Sequence, residues 1–438
     1  MKCFLFPDIG RVDEALQLHM DGLEANEHVT IRMGMDDEKN GMWNSTIITK
    51  ADNHGKLLIG DNEQTEENIF SQLIWNLRPI DGKNAEPYTL SKEQTTLNLH
   101  IDIEGNSSQR TESRTISRIF KEDYVAEEEL PTDLHLTGTY FYPIRKRNLP
   151  SLIILGSTSG LTANHLAALF ASRGYGAIGL SLAGDTVHGE QTKKSQSQLP
   201  IEDVQQVVKW LKNHPSTDEE KIVLYGVSKN SELALLAASK DKNIRGVIAV
   251  CPSTHVFQSL HSKRRQSPWT EQGKGVPFIP LSNSFSMLFQ SLKEKVKQDQ
   301  KSTNELYERS LNKYKQKGRT DAIIKVENIN GPVLLLSGKE DTYWPSYSMA
   351  ESIKERLIKN SFPYLVQHSS FEFTGHSFTY PYLPCLFSNN SLLHTDDLIH
   401  KSAQAGEKAW AETITFLSKH FPPAKIPTEA IPFQTIGK

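Results

Sequence analysis

Short runs of apolar residues alternate with polar ones through the first third of the chain. Leu97, Leu99, Ile101 and Ile103 fall on one side of an extended segment, while Asn98, His100 and Asp102 fall on the other. That period of two is the mark of a strand with one buried face. Similar runs at 29–33, 46–49 and 134–142 are separated by turn-forming clusters, and helical periodicity is scarce. The pattern predicts an all-β, immunoglobulin-like sandwich over residues 1–142.

After Pro150 the pattern changes. Apolar runs at 152–155, 177–180, 222–225, 247–250, 333–336 and 364–366 are separated by helix-like segments. Continuous apolar runs of this length suit parallel strands covered by helices on both faces. Val204, Val207, Val208 and Leu211 place one apolar stripe on a helix that Pro215 ends, and Trp410, Ile414, Leu417 and Phe421 do the same near the C-terminus. A mostly parallel, doubly wound sheet is therefore expected over 143–438. Residues 254–325 break the alternation, because a crossover between parallel strands needs only about a dozen residues. They are expected to form an inserted lid.

Composition narrows the function. With 438 residues, 37% hydrophobic and 23% charged, the chain is an ordinary globular one. A formal charge of -3 gives no global attraction to nucleic acid. Locally the balance differs: the lid carries 14 Lys and Arg against 6 Asp and Glu, a net +8. Cys3, Cys251 and Cys385 are too few and too scattered for a zinc site or a disulfide framework. The opening residues lack a signal-peptide apolar core, and no apolar run approaches the length of a membrane span. The expectation is a soluble cytoplasmic protein.

The run 222–225 leads into Gly226, Val227, Ser228, Lys229, Asn230 and Ser231, followed by the helix-like ELALLAAS. A serine on such a strand-turn-helix corner is pushed out at the carboxyl edge of the sheet, next to helix N-terminal amides that can hold an oxyanion. Its partners in this arrangement follow in the order acid, then base. Asp341 lies beyond the run 333–336, and His376 lies in a loop after the last strand. A serine before a helix is ordinarily an N-cap, and an Asp after a strand is ordinarily a turn residue. The conjunction of order and strand ends is what identifies Ser228, His376 and Asp341 as nucleophile, base and acid.

The Lys229 backbone N–H is the expected first oxyanion donor, with Ser157 or Thr158, in the small-residue loop 156–161, as the second. No Lys-Ser or Lys-Thr follows Gly160, so this loop is not a phosphate-binding P-loop. Asn230 occupies the last position of G-x-S-x-G, where glycine is usual.

Nearly the whole chain resembles the acyl-CoA thioesterase and bile acid-CoA:amino acid N-acyltransferase family. The segments that carry the likeness are YGVSKNSELALLAAS, IKVENINGPVLLLSGKEDTYWPS, GHSFTYPYLP and QLPIEDVQQVVKWLKNHP, with GMWNSTIITKAD in the N-terminal region. The resemblance implies an α/β-hydrolase fold after the sandwich, and the same triad. It also implies a small-molecule acyl thioester as substrate and no metal or redox cofactor. Serine at the nucleophile position favours hydrolysis over amino-acid conjugation. Ester or amide hydrolysis, acyl transfer and non-catalytic acyl binding are the competing functions. Lys263, Arg264 and Arg265, just past the strand at 247–250, are candidates for the CoA phosphates. Lys293, Lys295, Lys297, Lys313, Lys315 and Lys317 are read as the solvated face of a lid helix.

Overall fold

The computed structural model describes residues 2–37, 41–60, 69–80, 88, 90–91, 94–156, 161–182, 186–187, 190–191, 198–259, 265–281, 303–378, 380–385 and 396–426.

The N-terminal region packs two sheets over one core. Lys2–Phe6, Gln17–Asp21 and Lys56–Ile59 form a three-stranded sheet. A six-stranded sheet runs in the order Ile9–Arg11, Thr111–Ile119, Thr96–Gly105, His28–Asp37, Gly41–Lys50, Arg78–Pro79. The expected alternation holds along Thr96–Gly105, where Leu97, Leu99, Ile101 and Ile103 are buried and the residues between them exposed. They meet Leu18, Met20, Leu57 and Ile59 of the smaller sheet in a shared apolar cluster. A short helix, Ile69–Trp75, departs from the all-β expectation. Phe70, Leu73 and Ile74 give it the one-faced spacing that buries it against the sandwich.

The larger sheet has eight strands: β1 (Val125–Glu129), β2 (Thr137–Pro143), β3 (Leu149–Leu155), β4 (Gly176–Ser181), β5 (Thr217–Val227), β6 (Ile244–Val250), β7 (Val333–Gly338) and β8 (Val366–Phe371). Their order is β1-β2-β4-β3-β5-β6-β7-β8. β2 is antiparallel to both of its neighbours, and from β4 to β8 every pairing is parallel. Of the run at 134–142, the residues from Thr137 on pair in this sheet rather than in the sandwich, with Thr137 opposite Ser181 and Phe141 opposite Ala177. The signal lay in its composition. Tyr140 and Phe141 are consecutive and both buried, so β2 is covered on two faces rather than one. The run expected at 364–366 also shifts. Tyr364 and Leu365 are exposed, and the edge strand β8 starts at Val366.

Consecutive residues of the central strands serve opposite layers. Leu152, Ile154, Val223, Tyr225, Ile248, Val250, Leu334 and Leu336 pack under helices α1 (Ala163–Ser172) and α6 (Asp396–His420). Ile153, Leu155, Ile222, Leu224, Val247, Ala249, Val333 and Leu335 pack under α2 (Glu202–Asn213), α3 (Lys229–Lys240) and α5 (Ser346–Lys359). The four apolar residues expected on α2 are all buried, and Trp410, Leu417 and Phe421 are buried at the end of α6.

In the insertion, α4 (Asn304–Gln316) and the segment around Phe257, Ile279 and Leu281 share a small apolar core with Trp344 and Met349 of the acid loop and α5. The sandwich is joined to this architecture by polar and apolar contacts. Buried Asp13 accepts from Arg173 Nε at 2.6 Å and from Trp410 Nε1 at 3.1 Å. Leu161, Leu169, Tyr382 and Leu383 belong to the sandwich's own core cluster.

Candidate active site

Three strand ends on one edge of the sheet supply the site. β5 ends at Val227, and Ser228 turns the chain into α3 with φ 57° and ψ −122°. A non-glycine residue at positive φ costs on the order of 1–3 kcal/mol, so the surrounding structure must hold it. It does so through the Ser228 N–H donating to Val250 O at 2.9 Å, and through Ser231 Oγ and N donating to Ser228 O at 2.6 and 2.9 Å. Glycine is required at 226, because a Cβ there would lie 2.3 Å from the Asn230 carbonyl oxygen. Ser228 makes no side-chain cap hydrogen bond, which separates it from an ordinary N-cap serine.

Its hydroxyl instead lies 2.7 Å from His376 Nε2. His376 Nδ1 lies 2.9 Å from Asp341 Oδ2. Asp341 is buried and held from several sides: Ser346 Oγ donates to Oδ2 at 2.6 Å, and the Tyr343 and Trp344 amides donate to Oδ1 at 2.9 and 3.2 Å. Tyr343 and Trp344 also flank the imidazole, with ring centroids 4.7 and 5.6 Å away. The arrangement fixes the imidazole with one nitrogen toward a carboxylate and the other toward a hydroxyl, the geometry of general-base activation.

A second Ser-His-carboxylate chain runs from Ser337 Oγ to His368 Nε2 at 2.8 Å, and from His368 Nδ1 to Glu351. Ser337 is fully buried, so this chain ties β7, β8 and α5 together and offers no substrate an accessible hydroxyl. Ser228 is partly exposed.

Lys229 begins α3, where a helix leaves its first N–H groups without intrahelical acceptors. Ser157 and Thr158 lie outside the described residues; Gly156, just before them, ends β3 at φ 69° with its N–H on Leu180 O. The Lys229 side chain enters a buried network that the sequence reading did not include. Its Nζ donates to Glu232 Oε1 at 2.6 Å and to Phe257 O at 2.8 Å. Trp269 Nε1 donates to the same Oε1 at 2.8 Å, and the Phe257 amide donates to Oε2 at 3.2 Å. Glu232 is fully buried. Burial pushes the Glu232 carboxyl up and the Lys229 ammonium down, and their mutual attraction opposes both shifts. The available signal was a Lys-Glu pair at i,i+3 opening an otherwise apolar helix.

Asn230 fits the elbow in the first turn of α3. Its side chain is buried, and Oδ1 has no hydrogen-bond partner among the described residues. Asn230→Ala is therefore expected to stabilise the protein by about 1 kcal/mol, since it removes an unpaired buried carbonyl and improves helix propensity. Urea unfolding measures this; a loss of stability would show that the amide makes a favourable contact.

Among the described residues, Cys251, Asp341 and His376 are the one group of potential ligands close enough to share a metal ion. They are already engaged with one another's neighbourhood. The Cys251 thiol donates to His376 O at 3.2 Å, and burial, reinforced by the Asp341 charge, pushes its pKa well above the usual thiol range. A protonated thiol is a poor metal ligand.

Of the cations proposed for phosphate, Lys263 and Arg264 lie outside the described residues, as do Lys293, Lys295 and Lys297. Arg265 is exposed and lines a cavity with Lys313, Lys317 and Arg319. Lys313 and Lys317 are exposed, as read, and the fold brings them to Arg265 across about fifty residues of sequence.

The chain is similar along most of its length to several known proteins. Mouse acyl-coenzyme A thioesterase 5 is 23% identical over 437 residues, covering 95% of this chain and 96% of that one. Human mitochondrial acyl-coenzyme A thioesterase 2 is 24% identical over 429 residues, covering 93% and 82%. A solved putative dienelactone hydrolase from Klebsiella pneumoniae subsp. pneumoniae MGH 78578 superposes with a TM-score of 0.40 at 14% identity, covering 67% of this chain and 99% of its own. Residues 13–132 match the acyl-CoA thioester hydrolase/BAAT N-terminal region, and residues 199–423 match the BAAT/acyl-CoA thioester hydrolase C-terminal region. The C-terminal match alone spans more than half of the 438 residues, and the chain belongs to the acyl-CoA thioester hydrolase/BAAT family.

Proposed function

We propose that this protein is an acyl-CoA thioesterase that works through an acyl-serine intermediate. The observation that carries the reading is the unbroken hydrogen-bonded chain from Ser228 through His376 to Asp341 on the open edge of the sheet. Ser228 Oγ attacks the thioester carbonyl while His376 Nε2 takes its proton, and Asp341 stabilises the imidazolium without itself being protonated. The Lys229 N–H meets the developing oxyanion, with the loop at Ser157 or Thr158 supplying the second donor. His376 then returns its proton to the departing CoA sulfur. Water, activated by the same imidazole, attacks the acyl-serine and releases the acid. No step calls on a metal.

The organisation follows the same reading: a sandwich, a catalytic sheet that starts at β1, and an inserted basic lid over 254–325. Among the described residues no helix is long and apolar enough to cross a membrane. All three cysteines are free, which suits a reducing compartment such as the cytoplasm.

The decisive experiment offers acyl-CoA, p-nitrophenyl ester and peptide substrates to the wild type and to Ser228→Ala. Serine-dependent release of free CoA supports the thioesterase. Turnover of esters alone would reassign the protein as an esterase, and no turnover of any substrate would leave an acyl-binding role.

A further inference from the structure

The insertion's charge acquires a place once α4 is located. Leu306, Tyr307, Ser310 and Tyr314 bury one side of the helix, while Lys313 and Lys315 remain exposed near its C-terminal end. The N-terminal end is tied to the acid loop. Asn304 Nδ2 donates to Asp341 O at 2.8 Å, Thr303 Oγ1 donates to Tyr343 O at 2.5 Å, and Tyr307 packs on Trp344, which itself packs on His376. One end of α4 therefore touches the catalytic loop, and the other carries cations away from it.

At that far end Arg265, Lys313, Lys317 and Arg319 line a cavity of about 120 Å³ whose opposite wall includes Pro280 and Leu281. Arg319 is paired with Asp321 at 2.7 Å and lies over the Tyr314 ring. The side chains of Arg265, Lys313 and Lys317 have no ion-pair or hydrogen-bond partner among the described residues. Four cations around one concavity repel one another, and an anion seated among them offsets that cost. Arginine grips phosphoryl oxygens in pairs, and lysine adds point charge.

We propose that this cavity holds the phosphates of the CoA moiety, an assignment that rests on the thioesterase reading. Distance supports it. Lys313 and Lys317 lie nine and thirteen residues beyond Asn304, which at helical rise is roughly 14 to 20 Å. The arm joining the thioester sulfur to the first phosphate of CoA has about thirteen bonds. At three bonds per residue of extended chain, that arm reaches roughly 15 Å. The cations thus lie from the catalytic loop at a distance comparable to the length of that arm.

The test replaces both lysines, Lys313→Ala with Lys317→Ala, and compares one acyl group carried on CoA and on pantetheine. The expected result is a rise of about tenfold in KM for acyl-CoA and less than twofold for acyl-pantetheine. Added salt should raise the wild-type KM for acyl-CoA and change the variant's less. Equal effects on both substrates, or none on either, overturn the site. A calorimetric titration with adenosine 3′,5′-bisphosphate reads the cavity without turnover, with Lys313→Arg/Lys317→Arg as the control that keeps the charge. Bisphosphate binding lost only in the alanine variant supports the site even if no thioester is hydrolysed, which would count against the thioesterase reading alone. Hydrolysis of acyl-CoA with unchanged KM in that variant would keep the thioesterase and remove the site. Inorganic phosphate binding as tightly as the bisphosphate would show a general anion pocket and overturn the CoA assignment.

Discussion

Ser228→Ala is expected to lower turnover by about 10⁴-fold or more, roughly 5 kcal/mol of transition-state stabilisation, while leaving the fold intact. Among the described residues the hydroxyl's partner is His376 Nε2, so its removal strands no other donor or acceptor there. His376→Ala and Asp341→Asn should each lose several orders of magnitude. Added to Ser228→Ala, either should cost little more, because the three groups act on one proton transfer. Asp341→Asn has a further consequence. Its carboxylate accepts from Ser346, Tyr343 and Trp344 as well as from His376, so an amide must break part of that set to satisfy its own N–H groups. Steady-state rates of free-CoA release, with circular dichroism on each variant, check the whole series. A folded Ser228→Ala protein retaining more than about a tenth of the rate would sink the assignment.

Glu232→Ala should be the most destabilising single change near the site, by about 3–5 kcal/mol. Three donors converge on this carboxylate: Lys229 Nζ, Trp269 Nε1 and the Phe257 amide. Its loss leaves a largely buried ammonium with the Phe257 carbonyl and the Trp269 ring face, and takes the acceptor from two N–H groups. Lys229→Met should cost less, about 1–3 kcal/mol. Glu232 then keeps two donors and can take up a proton, the direction in which burial already pushes it. Both variants loosen the tie between the insertion and the peptide that follows the nucleophile, so kcat should fall further than KM rises. Chemical denaturation compares the two stabilities. If Lys229→Met proved as damaging as Glu232→Ala, the ammonium rather than the carboxylate would be the centre of the network.

The meeting of Ser228, His376 and Asp341 is legible in the sequence, for a physical reason. Parallel strands buried on both faces write themselves as apolar runs, and the residues at their carboxyl ends are then fixed on one edge. Ser228, Asp341 and His376 were placed by that logic. β2 escaped because Tyr140 and Phe141 were read as part of an alternating sandwich strand, when adjacent buried aromatics mark a strand covered on both sides. Glu232 escaped because a charge in the first turn of a helix is ordinarily a solvated partner of the helix dipole. Its burial depends on Phe257 and Trp269 arriving from the insertion, which no local pattern announces. The meeting of Arg265 with Lys313 and Lys317 is likewise a tertiary event.

Asp13 gives the sandwich a role that its distance in sequence from the triad conceals. Its carboxylate is shared between Arg173, just after α1, and Trp410 of α6, while Leu161, Leu169, Tyr382 and Leu383 complete the sandwich's interior. The α1–α6 layer is also the layer that backs β5 and β6 beneath Ser228. A fragment cut away before β1 would therefore expose apolar residues on both pieces and strand an arginine and an indole that lose their acceptor. Evolutionary exchange of sandwiches between relatives is constrained by the same seam: an incoming module must carry an acid where Asp13 stands, or the recipient must change residues 173 and 410 along with it.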